Sequence, residues 1–85
     1  MINVTDKKLL KAFGIRIREL RLSQHLSQEK LANLADIPLS QVGRIERGEI
    51  NASISTSNAI AKALKMELYE LFMFQHAKSD GKKTR

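Results

Sequence analysis

The chain has 85 residues, and a domain of this size buries only roughly 60–65% of the surface its unfolded chain exposes, which leaves little core for an elaborate enzyme cleft. Fifteen Lys and Arg against nine Asp and Glu leave a net charge of +6, which favours a polyanion as partner, although ribosomal and membrane-surface proteins share that balance. With no cysteine, disulfides, thiolate catalysis and thiolate metal sites are excluded; with no apolar signal region in MINVTDKKLLK and no long apolar run, neither export nor a membrane span is expected, and a cytoplasmic setting is.

Asp6 is placed to cap a first helix running to about Gln24, in which Leu10, Phe13, Ile17 and Leu20 recur at spacings of three and four and face the core. Ser27 offers its hydroxyl to cap a short second helix over 28–35 that buries Leu31, Ala32 and Ala35. Asp36-Ile37-Pro38 is too short for a loop with structure of its own. Pro38 has no N–H to donate and a φ already near the helical value, so it suits the first turn of a third helix, over about 38–47. Val42 and Ile45 lie on that helix's buried side, and Gly48 is its natural stop. Leu31 and Ala35 before the turn, Ile37 within it, and Val42 and Ile45 after it form a wedge that makes the two helices cross, which is helix-turn-helix logic.

After a loop over 49–52, Ser53 is positioned to cap a fourth helix that carries Ile54, Ile60, Ala61 and Leu64 inward, with Ser55, Thr56 and Ser57 in its first turn. A last helix, over about 68–77, supplies Leu68, Leu71 and Phe72 to the same core. The fold class read from this pattern is all-α, a compact five-helix bundle with a helix-turn-helix. Residues 1–78 form one domain, and SDGKKTR, over 79–85, reads as a basic mobile tail.

The stretch SQEKLANLADIPLSQVGRIERG, with Arg21 upstream and with Asn51 and IAKALKM downstream, resembles the Cro/phage-repressor (Xre-like) helix-turn-helix family of DNA-binding domains. The likeness extends over about 13–72 and fixes small, apolar and charged positions together. The chain departs from the family where His25 and Asp36 replace the usual glycines, at two sites expected to need a left-handed backbone.

Reading DNA requires polar side chains at the start and on the exposed face of the third helix, because base edges in the major groove present distinct hydrogen-bond patterns. Leu39, Ser40, Gln41 and Arg44 stand there. The resemblance places base-contacting positions on Leu39, Ser40 and Arg44, with Gln41 alongside. Gln28, at the first turn of its helix, suits a phosphate, and Arg47, Asn51 and the helix start at Ser53 are placed to grip the same strand from the other side. The alternative for Asn51 is a loop cap. The family also implies an ion pair between Arg21 and Glu46 whose role is orientation. Gly43, inside the third helix at a cost of roughly 1 kcal/mol relative to Ala, either permits close approach to DNA or is tolerated there.

In the last helix Met66, Tyr69 and Met73 recur at i, i+3 and i+7 with Phe74 beside them, more apolar surface than one core face needs. An isologous dimer contact accounts for that stripe, and overflow of a small core is the alternative. No catalytic constellation emerges. His25 and His76 are isolated, the four glycines form no phosphate loop, and Glu67 and Glu70 lack an active-site partner. No cofactor and no metal are expected. The function expected is a sequence-specific regulator of transcription that binds double-stranded DNA at a palindromic operator as a homodimer, in the cytoplasm with the nucleoid. It would be phage-repressor-like or a controller of restriction–modification genes. The alternative is an antitoxin or bridging module that holds a partner protein, with DNA binding secondary.

Overall fold

The computed structural model describes residues 4–75, and the positions assigned above to the tail, to His76 and to the end of the last helix lie outside that range. Four α-helices follow in order: α1 over Lys7–Ser23, α2 over Gln28–Ala35, α3 over Leu39–Glu46 and α4 over Ile54–Ala63. A short 3-10 helix, Leu68–Phe72, closes the described chain, and there is no strand among these residues.

The caps explain most of the boundaries. Asp6 accepts from the Leu9 N–H, Ser27 from the Lys30 N–H and Ser53 from the Thr56 N–H, so each helix begins where a short polar side chain satisfies an otherwise orphaned donor. Pro38 stands one position earlier than expected: at φ −62° and ψ 143° it is the N-cap of α3 rather than its first residue. The two departures from glycine take up left-handed backbone, His25 and Asp36 each at φ 59°. Lys65 does the same at φ 60° after α4, a strained turn that its side chain does not announce.

Ile17, Leu31, Val42, Ile45, Ile60, Leu64 and Leu71 are fully enclosed at the centre, drawn from all four α-helices, the residue that ends α4 and the 3-10 helix. Three apolar positions depart from the pattern. Leu10, near the start of α1, is only half-buried and lies outside the contiguous core. Ile54 is 75% exposed, because the first turn of α4 faces solvent and Ser57 takes the inward position instead. Phe72 remains 50% exposed, although its ring stacks on Phe13 at a centroid distance of 5.2 Å.

The expected fifth α-helix is not formed. Phe72 and Phe74 both flank the Phe13 ring, the latter at 6.4 Å, and residues two apart cannot share one face of an α-helix. The chain resolves the conflict by turning at Met73, where the Phe74 N–H donates to the Phe72 carbonyl at 3.0 Å. Glu67 and Glu70 form a capping box around this element, and Arg16 of α1 donates from Nη2 to the Glu70 carbonyl at 2.8 Å, tying the terminal turn to the bundle. Among the described residues the architecture is therefore four α-helices and a 3-10 turn, where five helices were expected.

Candidate nucleic-acid interface

The exposed face of α3 is set by what holds its other face. Val42 and Ile45 enter the core, and Glu46 is buried beside them. Ser40, Arg44 and Arg47 then follow at i, i+4 and i+7 along the outer side, all exposed, with Leu39 48% exposed at the helix start. Gln41 is half-buried at the edge of this row. No side chain caps the first turn of α3, so the outer end of the helix presents backbone N–H groups beside Leu39 and Ser40. Arg44 has no ion-pair partner among the described residues.

Glu46 fixes how α3 lies on the rest of the fold. Its carboxylate accepts from Arg21 Nε at 2.6 Å and from Arg21 Nη2 at 3.0 Å, with both side chains buried. Arg21 Nη1 donates to the Leu26 carbonyl at 2.8 Å, and Gln28 Nε2 donates to Glu46 Oε1 at 3.0 Å. One carboxylate thereby joins α1, the start of α2 and the end of α3. The hydrogen bond to Glu46 raises the Arg21 pKa further, so the guanidinium stays charged although buried. Gln28, assigned from the sequence to a phosphate, is committed through one amide hydrogen to this network and keeps its second free for another acceptor.

Gly14 is the residue that the sequence reading passed over. A Cβ there would run into the carbonyl oxygens of Ile45 and Glu46, so only glycine lets α1 lie this close to the C-terminal turn of α3. Its signal was available: a glycine in the interior of a long helix costs about 1 kcal/mol and marks a close approach. Gly48, at φ 73°, ends α3, and a Cβ there would stand 2.8 Å from Lys11 Cα.

On the flank, Asn51 is exposed in the α3–α4 loop, and no helix uses it as a cap. Ser53 is exposed but occupied, its hydroxyl accepting from the Thr56 N–H and donating to Thr56 Oγ1 at 3.1 Å. Arg47 is paired with Glu49 of the following loop, Nε to Oε2 at 2.7 Å. The apolar stripe near the C-terminus is divided: Met66 and Phe74 pack on the core, whereas Tyr69 and Met73 are 66% and 62% exposed, with Phe72 between them.

An open groove of about 540 Å³ runs along α1 and carries Glu19 among Lys8, Lys11 and Arg16, with no hydroxyl or imidazole to act with that carboxylate. Among the described residues no group of His, Cys, Asp or Glu could hold a metal ion, and no helix is long and apolar enough to cross a membrane.

Residues 17–71 match the family model described as helix-turn-helix. The chain is 40% identical over 63 residues to the control protein C.BamHI of Bacillus amyloliquefaciens, a span of 73% of this chain and 78% of that one. It superposes on the crystal structure of the restriction–modification controller protein C.AhdI from Aeromonas hydrophila with a TM-score of 0.73 and 48% identity, covering 74% of this chain and 96% of that one. It is also 44% identical over 56 residues to the putative antitoxin HigA2 of Mycobacterium tuberculosis, of which it spans 55%. Arg21, Glu46 and the exposed row on α3 all fall inside the region that matches, and the chain belongs to the Cro/phage-repressor (Xre-like) helix-turn-helix family of DNA-binding domains.

Proposed function

We propose that this protein is a sequence-specific regulator of transcription that binds a palindromic DNA operator as a homodimer and acts as a controller of restriction–modification genes. The observation that carries the reading is the outer row of α3, where Leu39, Ser40 and Arg44 are exposed while the opposite face is locked by the core and by the Arg21–Glu46 pair. Rigid placement of a polar helix face is what reading base edges in the major groove requires. Arg44 suits a bidentate contact to guanine, Leu39 a thymine methyl group, and Ser40 and Gln41 either donors or acceptors.

Gln28, Arg47, Asn51 and the start of α4 at Ser53 serve to set register on the phosphates. Because the Ser53 hydroxyl is already bonded within its own cap, its contribution there comes from the backbone of the helix start. Likeness to C.BamHI and C.AhdI supports the controller role. A second reading, an antitoxin-like module whose main task is to hold a partner protein, is favoured by the likeness to HigA2 and by the exposed Tyr69 and Met73. Binding to operator DNA recovered from a random pool tests the first reading. If the chain captures no sequence preferentially yet forms a stable complex with another protein through Tyr69 and Met73, the second replaces it.

A further inference from the structure

Arg47 does not project freely towards solvent. Its Nε donates to Glu49 Oε2 at 2.7 Å and its Nη2 to Glu49 Oε1 at 3.2 Å, a two-pronged pair whose side chains remain 60% and 50% exposed. The guanidinium lies over Gly43: a Cβ at that position would stand 3.0 Å from Nη1 and 3.8 Å from Cζ. The missing methyl group leaves the space in which Arg47 is parked. The carboxyl of Glu49 is held below its ordinary range by its hydrogen bond to Arg47, with the charges of Arg47, Arg44 and Lys11 acting in the same direction, so it is ionised at neutral pH.

A carboxylate offers a guanidinium the same pair of oxygens that a phosphate does. The free protein has therefore already filled the edge with which Arg47 would grip a DNA strand. An exposed pair of this kind contributes little to folding, so its consequence is to be sought at the surface it occupies.

We propose that Glu49 is an intramolecular stand-in for a DNA phosphate, competing with the duplex for Arg47 and so holding down affinity for DNA of any sequence. The proposal rests on the DNA-binding reading and adds an acidic residue that opposes it. On docking, Arg47 exchanges the carboxylate for a phosphate. The Arg47–Glu49 site as a whole presents no net charge to the duplex, the freed carboxylate offsetting the guanidinium, so Arg47 adds almost nothing to the salt dependence of the native chain. Without the carboxylate its contact registers in full.

The test is binding of a random-sequence duplex, measured by fluorescence anisotropy over a series of salt concentrations. Glu49→Gln should bind about five-fold tighter at low salt, with the slope of log K against log salt steeper by about one unit. Glu19→Gln removes the same charge from an exposed site on α1 and should behave as the native chain does. In an Arg47→Ala background, Glu49→Gln should no longer steepen the slope. Circular dichroism of each variant checks that the helices persist. Native-like binding by Glu49→Gln, an equal gain from Glu19→Gln, or a gain that survives Arg47→Ala each overturns the proposal while leaving DNA binding intact. Failure of the native chain to bind duplex at any salt overturns the DNA-binding reading and this proposal together.

Discussion

At the scale of single residues, α3 carries cations and an anion with separable tasks. Arg44 lies on the exposed face with no ion-pair partner among the described residues, whereas Arg47 lies at the helix end, already engaged by Glu49. Arg44→Ala should cost about 1–3 kcal/mol on the preferred sequence and relax preference at one base pair, while Arg47→Ala should weaken all sequences alike. Competition binding with specific and random duplexes checks this, and equal losses on both for Arg44→Ala would remove it from base reading. Glu46 has the opposite role. Removing its carboxylate leaves Arg21 charged and enclosed, so Glu46→Ala should lower stability by about 3–5 kcal/mol in urea unfolding. Glu49→Ala, which breaks only the exposed pair, should leave the melting temperature nearly unchanged. Matching losses in the two variants would show that the buried pair does not position α3.

At the scale of elements, two glycines should respond in opposite ways to the same added methyl group. Gly14→Ala drives a Cβ into backbone carbonyls of α3, which cannot move without separating the helices, and should destabilise by about 1–3 kcal/mol or more. Gly43→Ala meets the tip of Arg47, an exposed and flexible side chain, at 3.0 Å and Gln28 Oε1 at an ordinary contact distance of 3.8 Å, so the gain in helix propensity, up to about 1 kcal/mol, should dominate. Thermal melts of the two variants decide the matter, and a stable Gly14→Ala would show that α1 and α3 have slack between them. The same contrast marks how far the sequence could be read. The starts of α1, α2 and α4 were legible because caps and apolar period are local signals, contained in Asp6, Ser27, Ser53 and the residues that follow them. The terminal turn was not, because its geometry is decided by Phe13, some sixty positions away in the chain, which draws Phe72 and Phe74 to one ring. The exposure of Ile54 has a related cause: apolar spacing places a residue on a face, but not every turn of that face is covered. The row on α3 was legible from the helix and the family resemblance, whereas the Arg47–Glu49 pair bridges a helix end and a loop, where helical spacing says nothing.

At the scale of the whole molecule, the proposed reading gives each chain one helix, α3, with which to read DNA, and a single half-site rarely supplies enough contact for strong discrimination. The exposed apolar surface of the terminal turn, formed by Tyr69, Phe72 and Met73, is where a second copy would bury area. If a second copy packs there about a two-fold axis as proposed, Met73→Glu would bring like charges together and should weaken dimerisation and operator binding together while leaving helical content intact. Sedimentation velocity with circular dichroism checks it, and a native chain that remains monomeric on and off DNA would assign this surface to another protein.

Whether α3 reads DNA is decided by selecting bound fragments from a pool of random duplex DNA with the native chain, with Arg44→Ala carried in parallel. Enrichment of a palindrome whose half-sites lie one helical turn, roughly 34–36 Å, apart is expected, with loss of preference at a symmetric pair of positions when Arg44 is removed. A pool that shows no enriched sequence, or an enriched sequence whose preferences are unaltered by Arg44→Ala, would contradict the assignment of α3 as the element that reads DNA.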